Sequence, residues 1–150
     1  MIVPILMGSA SDKEFAEKIT MIFDSWKIPY KFHVASAHKV PEKVLEIVNG
    51  YNALNEPVCY ITIAGRSNGL SGVVAASSVY PVVACPPFQD KDDMVLNINS
   101  TLQMPSDTPV LTVIDPQNAA MAVIRILANS DSDLKKKVDA HIKEVKSKFN

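Results

Sequence analysis

His38 and Lys39 stand side by side in the short polar stretch Ser36-Ala37-His38-Lys39. An imidazole moves protons near neutral pH, because its unperturbed pKa is about 6.5. An ammonium neutralises a phosphate or carboxylate as a point charge. Small and polar residues gather at two other places, Gly8-Ser9-Ala10-Ser11-Asp12 and Gly65-Arg66-Ser67-Asn68-Gly69. The first offers hydroxyls and backbone amides at a helix amino terminus, a ready phosphate site. It has neither the Gly-Lys-Ser/Thr of a nucleotide triphosphate loop nor the G-x-G-x-x-G of a dinucleotide loop. A phosphate monoester is the better match. Ser11 read alone is a helix cap. Asp12 is either a second cap or a carboxylate accepting hydrogen bonds from vicinal hydroxyls, as on a ribose. In the third stretch Gly65 and Gly69 permit close backbone approach or positive φ. Ser67 and Asn68 add donors there, and either one also suits the cap of the following helix. Arg66 has two readings, holding a neighbouring loop or carboxylate, or holding substrate. A lone loop histidine is more often structural; it is the company of the other two stretches that gives His38 a chemical reading.

The elements between these stretches alternate. Ile2–Met7 is a short apolar run suited to a strand buried on both faces, with Pro4 delaying ordered pairing until after it. Ser11-x-x-Glu14 has the form of a capping box, ahead of the helical stripe Phe15, Ile19, Ile22, Phe23 and Trp26, which ends at Ile28-Pro29. Tyr30–Ala35 alternates as a strand, and Pro41 opens a helix carrying Val44, Leu45, Ile47, Val48, Tyr51 and Leu54. Val58–Ala64, Val82–Cys85 and Val110–Ile114 read as strands, and Gly69–Ser78, Asp92–Gln103, Pro116–Ala128 and Asp131–Phe149 as helices. This pattern implies an α/β fold. Its parallel five-stranded sheet lies in three layers (α/β/α), in the order 2-1-3-4-5, with a C-terminal helix at about 131–150. In such a sheet ligands bind at the carboxyl ends of strands, where strand order reverses. The three polar stretches follow the first three strands, so they should converge on one crevice. His33, within a strand, and His141, on the last helix, read as structural.

Composition narrows the partners. At 150 residues the chain is expected to be one domain over 1–150, able to bury roughly 68–70% of its unfolded surface. Fifteen basic and 16 acidic residues give a net charge of −1, so nothing in the charge argues for nucleic acid or an anionic membrane. The run Lys135–Lys137 reads as a solvated helix face. Cys59 and Cys85 lie in apolar runs with no close Cys or His, which points to neither zinc nor a disulfide framework but to a reducing cytosol. The amino terminus, MIVPILMGSASD, reads as neither a signal peptide nor a membrane span. The helix Ala119–Ala128 is apolar nearly all round, with Arg125 its only charge, which suits either a core helix or a homo-oligomer contact.

The strings MGSASD, SAHKVP and AGRSNGL, followed in order by ACPP and LQMPSDTPV, resemble the PurE family of purine biosynthesis from about Ile2 to Ala128. The family has two branches, a carboxyaminoimidazole ribonucleotide mutase and an aminoimidazole ribonucleotide (AIR) carboxylase that uses carbon dioxide directly. Lys39 and the loop AGRSNGLSG are similar to the carboxylase branch; Val40 and Ser71-Gly72 depart from its common pattern. The resemblance implies a flavodoxin-like three-layer fold in a symmetric, cytoplasmic homo-oligomer, usually an octamer, with no metal or cofactor. It implies that Ser9, Ser11, Ser36 and Lys39 hold the substrate phosphate and Asp12 the ribose hydroxyls. Ser67, Asn68 and Gly69 would surround the imidazole and the new carboxylate, and His38 would transfer the proton. Its partners would then be AIR and carbon dioxide. The alternatives are the mutase of the same family and, in a different class, a flavodoxin-like phosphate-ligand binding module. For the latter no aromatic residue lies in the first three loops to sandwich a flavin ring.

Overall fold

The computed structural model describes residues 1–149. Five parallel strands form one sheet in the order β2-β1-β3-β4-β5: β1 (Val3–Met7), β2 (Tyr30–Val34), β3 (Tyr60–Ile63), β4 (Val82–Ala84) and β5 (Leu111–Thr112). The helices are α1 (Lys13–Trp26), α2 (Pro41–Asn52), α3 (Gly69–Ser77), α4 (Lys91–Asn97), α5 (Asn99–Leu102), α6 (Pro116–Leu127) and α7 (Ser132–Ser147). The strand order and the flavodoxin-like α/β architecture agree with the sequence reading.

β1 is buried at every residue, and its side chains divide two cores. Val3, Ile5 and Met7 join Ile61, Ile63 and Val83 beneath α1, α6 and α7, while Leu6 joins Tyr60 and Val82 beneath α2 and α3. The two-residue period of a strand thus fills both faces and makes three layers. Pro4 acts on one side only. β1 pairs with β2 from Val3 onward, but with β3 only from Ile5. Ile2 N–H donates to Pro57 O and Gly8 N–H to Ile63 O, so alternate amides of β1 face β3, and Pro4 falls in that set, in register with Tyr60. The missing donor interrupts the ladder there and leaves Val58 in an isolated bridge with Ile2. That is why β3 starts later than its apolar run.

α1 follows its expected stripe, with Ala16, Ile19, Thr20 and Phe23 buried. It stops because Lys27 takes a left-handed conformation (φ 58°) and Ile28 N–H returns to Phe23 O, a Schellman-type end. The single helix expected at Asp92–Gln103 is two. Ser100 Oγ donates to Asn97 O at 3.0 Å, the carbonyl that Thr101 N–H would otherwise use, and Thr101 N–H donates to Ile98 O instead. α6 buries Ala119, Ala120, Val123, Ile124 and Leu127 against the sheet, α1 and α7, leaving Arg125 exposed. α7 packs Leu134 and Val138 into the same core, so the apolarity of α6 is used within the chain. Lys135–Lys137 are exposed, and His141 packs edge-on against Trp26 at 5.3 Å. His33 meets the Tyr51 hydroxyl at 2.9 Å, half-buried on β2. Burial and the nearby Lys31 and Lys43 lower its pKa.

Candidate active site

All five strands run the same way, so the loops after β1, β2 and β3 emerge at one edge, and they meet. They line a cavity of about 820 Å³, within the usual range for small-molecule sites.

The first loop leaves β1 at Gly8, passes through the extended residue Ser9 and makes a 3₁₀ turn at Ala10–Asp12 before α1. This turn moves the capping box upstream of the expected Ser11–Glu14. Ser9 Oγ accepts from Ser11 N–H at 3.3 Å and from Ser11 Oγ–H at 2.8 Å, while Asp12 Oδ2 accepts from Ser9 N–H at 3.0 Å. Asp12 therefore caps the turn with one oxygen; among the described residues no group of the chain claims Oδ1. Partial burial raises its carboxyl pKa, against the opposing pull of the Ser9 amide. Ser9, Ser11 and Asp12 all line the cavity.

In the second loop Lys39 N–H and Val40 N–H both return to Ser36 O, at 3.2 and 2.9 Å. The turn thrusts His38 and Lys39 outward; both are exposed and, with Ser36, line the cavity. Among the described residues Lys39 and Arg66 form no ion pair within the chain, and Arg66 also lines the cavity. Among the described residues no carboxylate lies within ion-pair reach of Arg66 to serve its reading as a tie to a neighbouring carboxylate.

The third loop supplies the closest approach. A Cβ built on Gly69 would lie 2.8 Å from His38 Nε2 and 3.1 Å from Cε1, so only glycine lets the ring sit there. Neither glycine of this loop has positive φ; its left-handed residue is Ser67 (φ 46°), which lines the cavity. A non-glycine residue keeps such a conformation only where its surroundings over-determine it. Those surroundings begin at Asn68. Its Oδ1 accepts from Ser71 N–H, its Nδ2 donates to Thr101 Oγ1, and its backbone N–H donates to Ser100 Oγ, each at 3.0 Å. Asn68 is buried and is not part of the cavity wall, unlike its neighbours Ser67 and Gly69. The family resemblance implies a contact with the substrate imidazole; its side chain instead caps α3 through Oδ1 and bonds Thr101 through Nδ2.

A fourth loop, after β4, completes the wall with Pro87, Phe88, Gln89 and Asp93. The rule that gathers the first three loops applies equally to β4, and ACPP marks its end. Asp93 is satisfied internally, Oδ2 accepting from Gln89 N–H at 3.0 Å and Oδ1 from Asn97 Nδ2 at 2.7 Å. Asp12 is left as the carboxylate with open acceptor capacity. Among the described residues no group of three His, Cys, Asp or Glu side chains could hold a metal, and no helix is long and apolar enough to cross a membrane. Cys59 and Cys85 are free and buried, and desolvation pushes both thiols up to about 12.

A family model described as AIR carboxylase matches residues 2–148. Phosphoribosylaminoimidazole carboxylase of Archaeoglobus fulgidus is 43% identical over 134 residues, covering 89% of this chain and 73% of that protein. The protein of that name from Treponema denticola is 40% identical over 141 residues, covering 94% and 88%. The crystal structure of Treponema denticola PurE superposes with a TM-score of 0.91 at 39% identity, over 99% of this chain and 93% of that one. With these four loops at one sheet edge, and with the AIR carboxylase model matching nearly the whole chain, the chain belongs to the AIR carboxylase (PurE) family.

Proposed function

We propose that the chain is a phosphoribosylaminoimidazole carboxylase that joins carbon dioxide directly to AIR, without ATP, and runs readily in reverse. The observation that carries this is the exposed His38 imidazole seated on Gly69, at the meeting point of a Ser/Asp loop and a Lys-bearing turn. The relatives named as carboxylases support it. Ser9, Ser11, Ser36 and Lys39 hold the phosphate, and Asp12 accepts from the ribose hydroxyls through the oxygen its cap leaves open. Ser67 and Gly69 border the imidazole. The electron-rich ring carbon bonds to the carbon of carbon dioxide as one C–O π pair moves to oxygen. The ring proton on that carbon then passes to His38 and aromaticity returns. A positioned base typically contributes about 10²–10⁴-fold to such a step. Backbone donors stabilise the new carboxylate.

The chain acts as a single domain over 1–150, in the cytoplasm, as a homo-oligomer, an octamer by family resemblance. Val95, Leu96 and Leu102 on α4–α5, and Leu111 on the edge strand β5, are apolar side chains left exposed for such contacts. The test is incubation with AIR and bicarbonate without ATP. Product at low bicarbonate is expected; product from the carboxylated amine isomer alone would assign the mutase instead. His38→Asn should fold and bind nucleotide but lose turnover, and near-native turnover would reject the role given to His38.

A further inference from the structure

The hydrogen bonds behind the third loop do not stop at Asn68. Ser100 Oγ, which accepts from Asn68 N–H, donates to Asn97 O; Asn97 Nδ2 donates to Asp93 Oδ1; and Asp93 Oδ2 accepts from Gln89 N–H. A continuous chain therefore runs from the fourth loop, through the break between α4 and α5, to the buried cap of α3. Thr101, 1% exposed, supplies the other anchor through its bond to Asn68 Nδ2. The elbow at Ile98 is what turns Ser100 and Thr101 together toward the loop: the hydroxyl of Ser100 takes the carbonyl that a continuous helix would have used. On the far side of Asn68 lie the left-handed Ser67 and Gly69, the surface on which His38 rests.

We propose that the α4–α5 elbow is a positioning brace for His38, in which Ser100 and Thr101, acting through Asn68, fix the height and tilt of the Gly69 shelf under the imidazole. The inference rests on the reading of His38 as the proton-transfer residue, and neither Ser100 nor Thr101 touches the cavity. Without the brace, the tight turn that bonds Gly69 N–H to Ser67 O at 2.7 Å has no anchor from outside its own helix. Ser67 is then free to leave its strained conformation and the shelf drops away from the ring.

The experiment compares Thr101→Val, which keeps shape and deletes the acceptor, with Thr101→Ser, which restores it, in the carboxylation assay. The expected result is a fall in kcat of about 10- to 100-fold for Thr101→Val, as for a catalytic group displaced by a fraction of an ångström to one ångström. KM for AIR stays within about threefold, because the phosphate and ribose grips lie on other loops, and Thr101→Ser returns kcat to near wild type. The His38 ring resonance, assigned by its loss in His38→Asn, should move in Thr101→Val and not in Thr101→Ser. If Thr101→Val does not fold, Ser100→Ala, which deletes the acceptor of Asn68 N–H, takes its place. An unmoved His38 resonance overturns the brace, whatever happens to thermal stability or kcat. A wild-type protein that makes no product from AIR refutes the proposed reaction instead, and the resonance alone then decides the brace.

Discussion

Gly69→Ala separates the shelf from the fold. The added methyl would sit 2.8 Å from His38 Nε2, where ordinary contact begins near 3.4 Å, so one of the two must retreat by about 0.6 Å. The backbone has little reason to move. Gly69 opens α3 with ordinary negative φ, and its partner in the clash is the tip of an exposed side chain on a turn. The ring therefore yields. Alanine at a compatible helical position stabilises by about 0.4–1 kcal/mol through the unfolded state. For a chain of this size that raises the thermal midpoint by about 1–4 °C. A misplacement approaching one ångström costs on the order of 10²-fold in a positioned reaction. Gly69→Ala should thus be as stable as wild type or slightly more so, bind the nucleotide, and lose about 10- to 100-fold in kcat. The assay is carboxylation of AIR from bicarbonate alongside a melting curve. A variant with kcat/KM within threefold of wild type would show that ring position does not matter. A midpoint lowered by several degrees would show that the backbone, not the ring, gave way.

Three further outcomes follow from the caps. Asp12→Asn keeps an acceptor for Ser9 N–H but loses the charge offered to the ribose, so nucleotide affinity should fall about tenfold or more, each charge-assisted bond being worth roughly 1.5–3 kcal/mol. Because burial raises the Asp12 pKa in the native state, ionisation there disfavours folding. The penalty is absent where the carboxyl is protonated in both states and grows as pH rises through the raised value. Melting curves of wild type and D12N should therefore differ least in acid, with the variant gaining relative stability toward neutral pH; a relative loss on that side would contradict the burial argument. Lys27→Gly should stabilise the end of α1 by about 0.5–1 kcal/mol, since Lys27 sits at φ 58° where a side chain is strained. Chemical denaturation reads this directly, and a lowered midpoint would mean that the lysine makes a contact outweighing the strain.

Much of this arrangement could be read before any coordinates. Parallel strands with right-handed crossovers leave few strand orders, and the order 2-1-3-4-5 forces the loops after the first three strands to one edge. The position of His38 followed from topology rather than from any local motif. What the sequence could not convey was side-chain direction. Asn68 and Ser67 are adjacent, polar and equally suited to capping, yet the left-handed turn at Ser67 sends one into the core and leaves the other in the cavity wall. The capping box slipped from Ser11–Glu14 to Ser9–Asp12 because the 3₁₀ turn places the helix start by backbone geometry that spacing alone does not encode. The division of α4 from α5 depends on one hydroxyl competing for one carbonyl. Phe88 carries no titratable group and Asp93 sits in the first turn of α4, where a carboxylate suits the helix dipole, so neither has a site reading from type alone, although the same edge rule covers both.

The proline in β1 has a consequence for where this sheet can give. By deleting one rung between β1 and β3 it divides their seam into an isolated stitch at Ile2–Val58 and a continuous stretch at Ile5–Met7 that ends in the Gly8 amide. Along this seam fraying of the outer stitch meets a rung that is already missing, and the β1–β2 ladder alone runs unbroken from Val3 to the end of the sheet that carries the pocket.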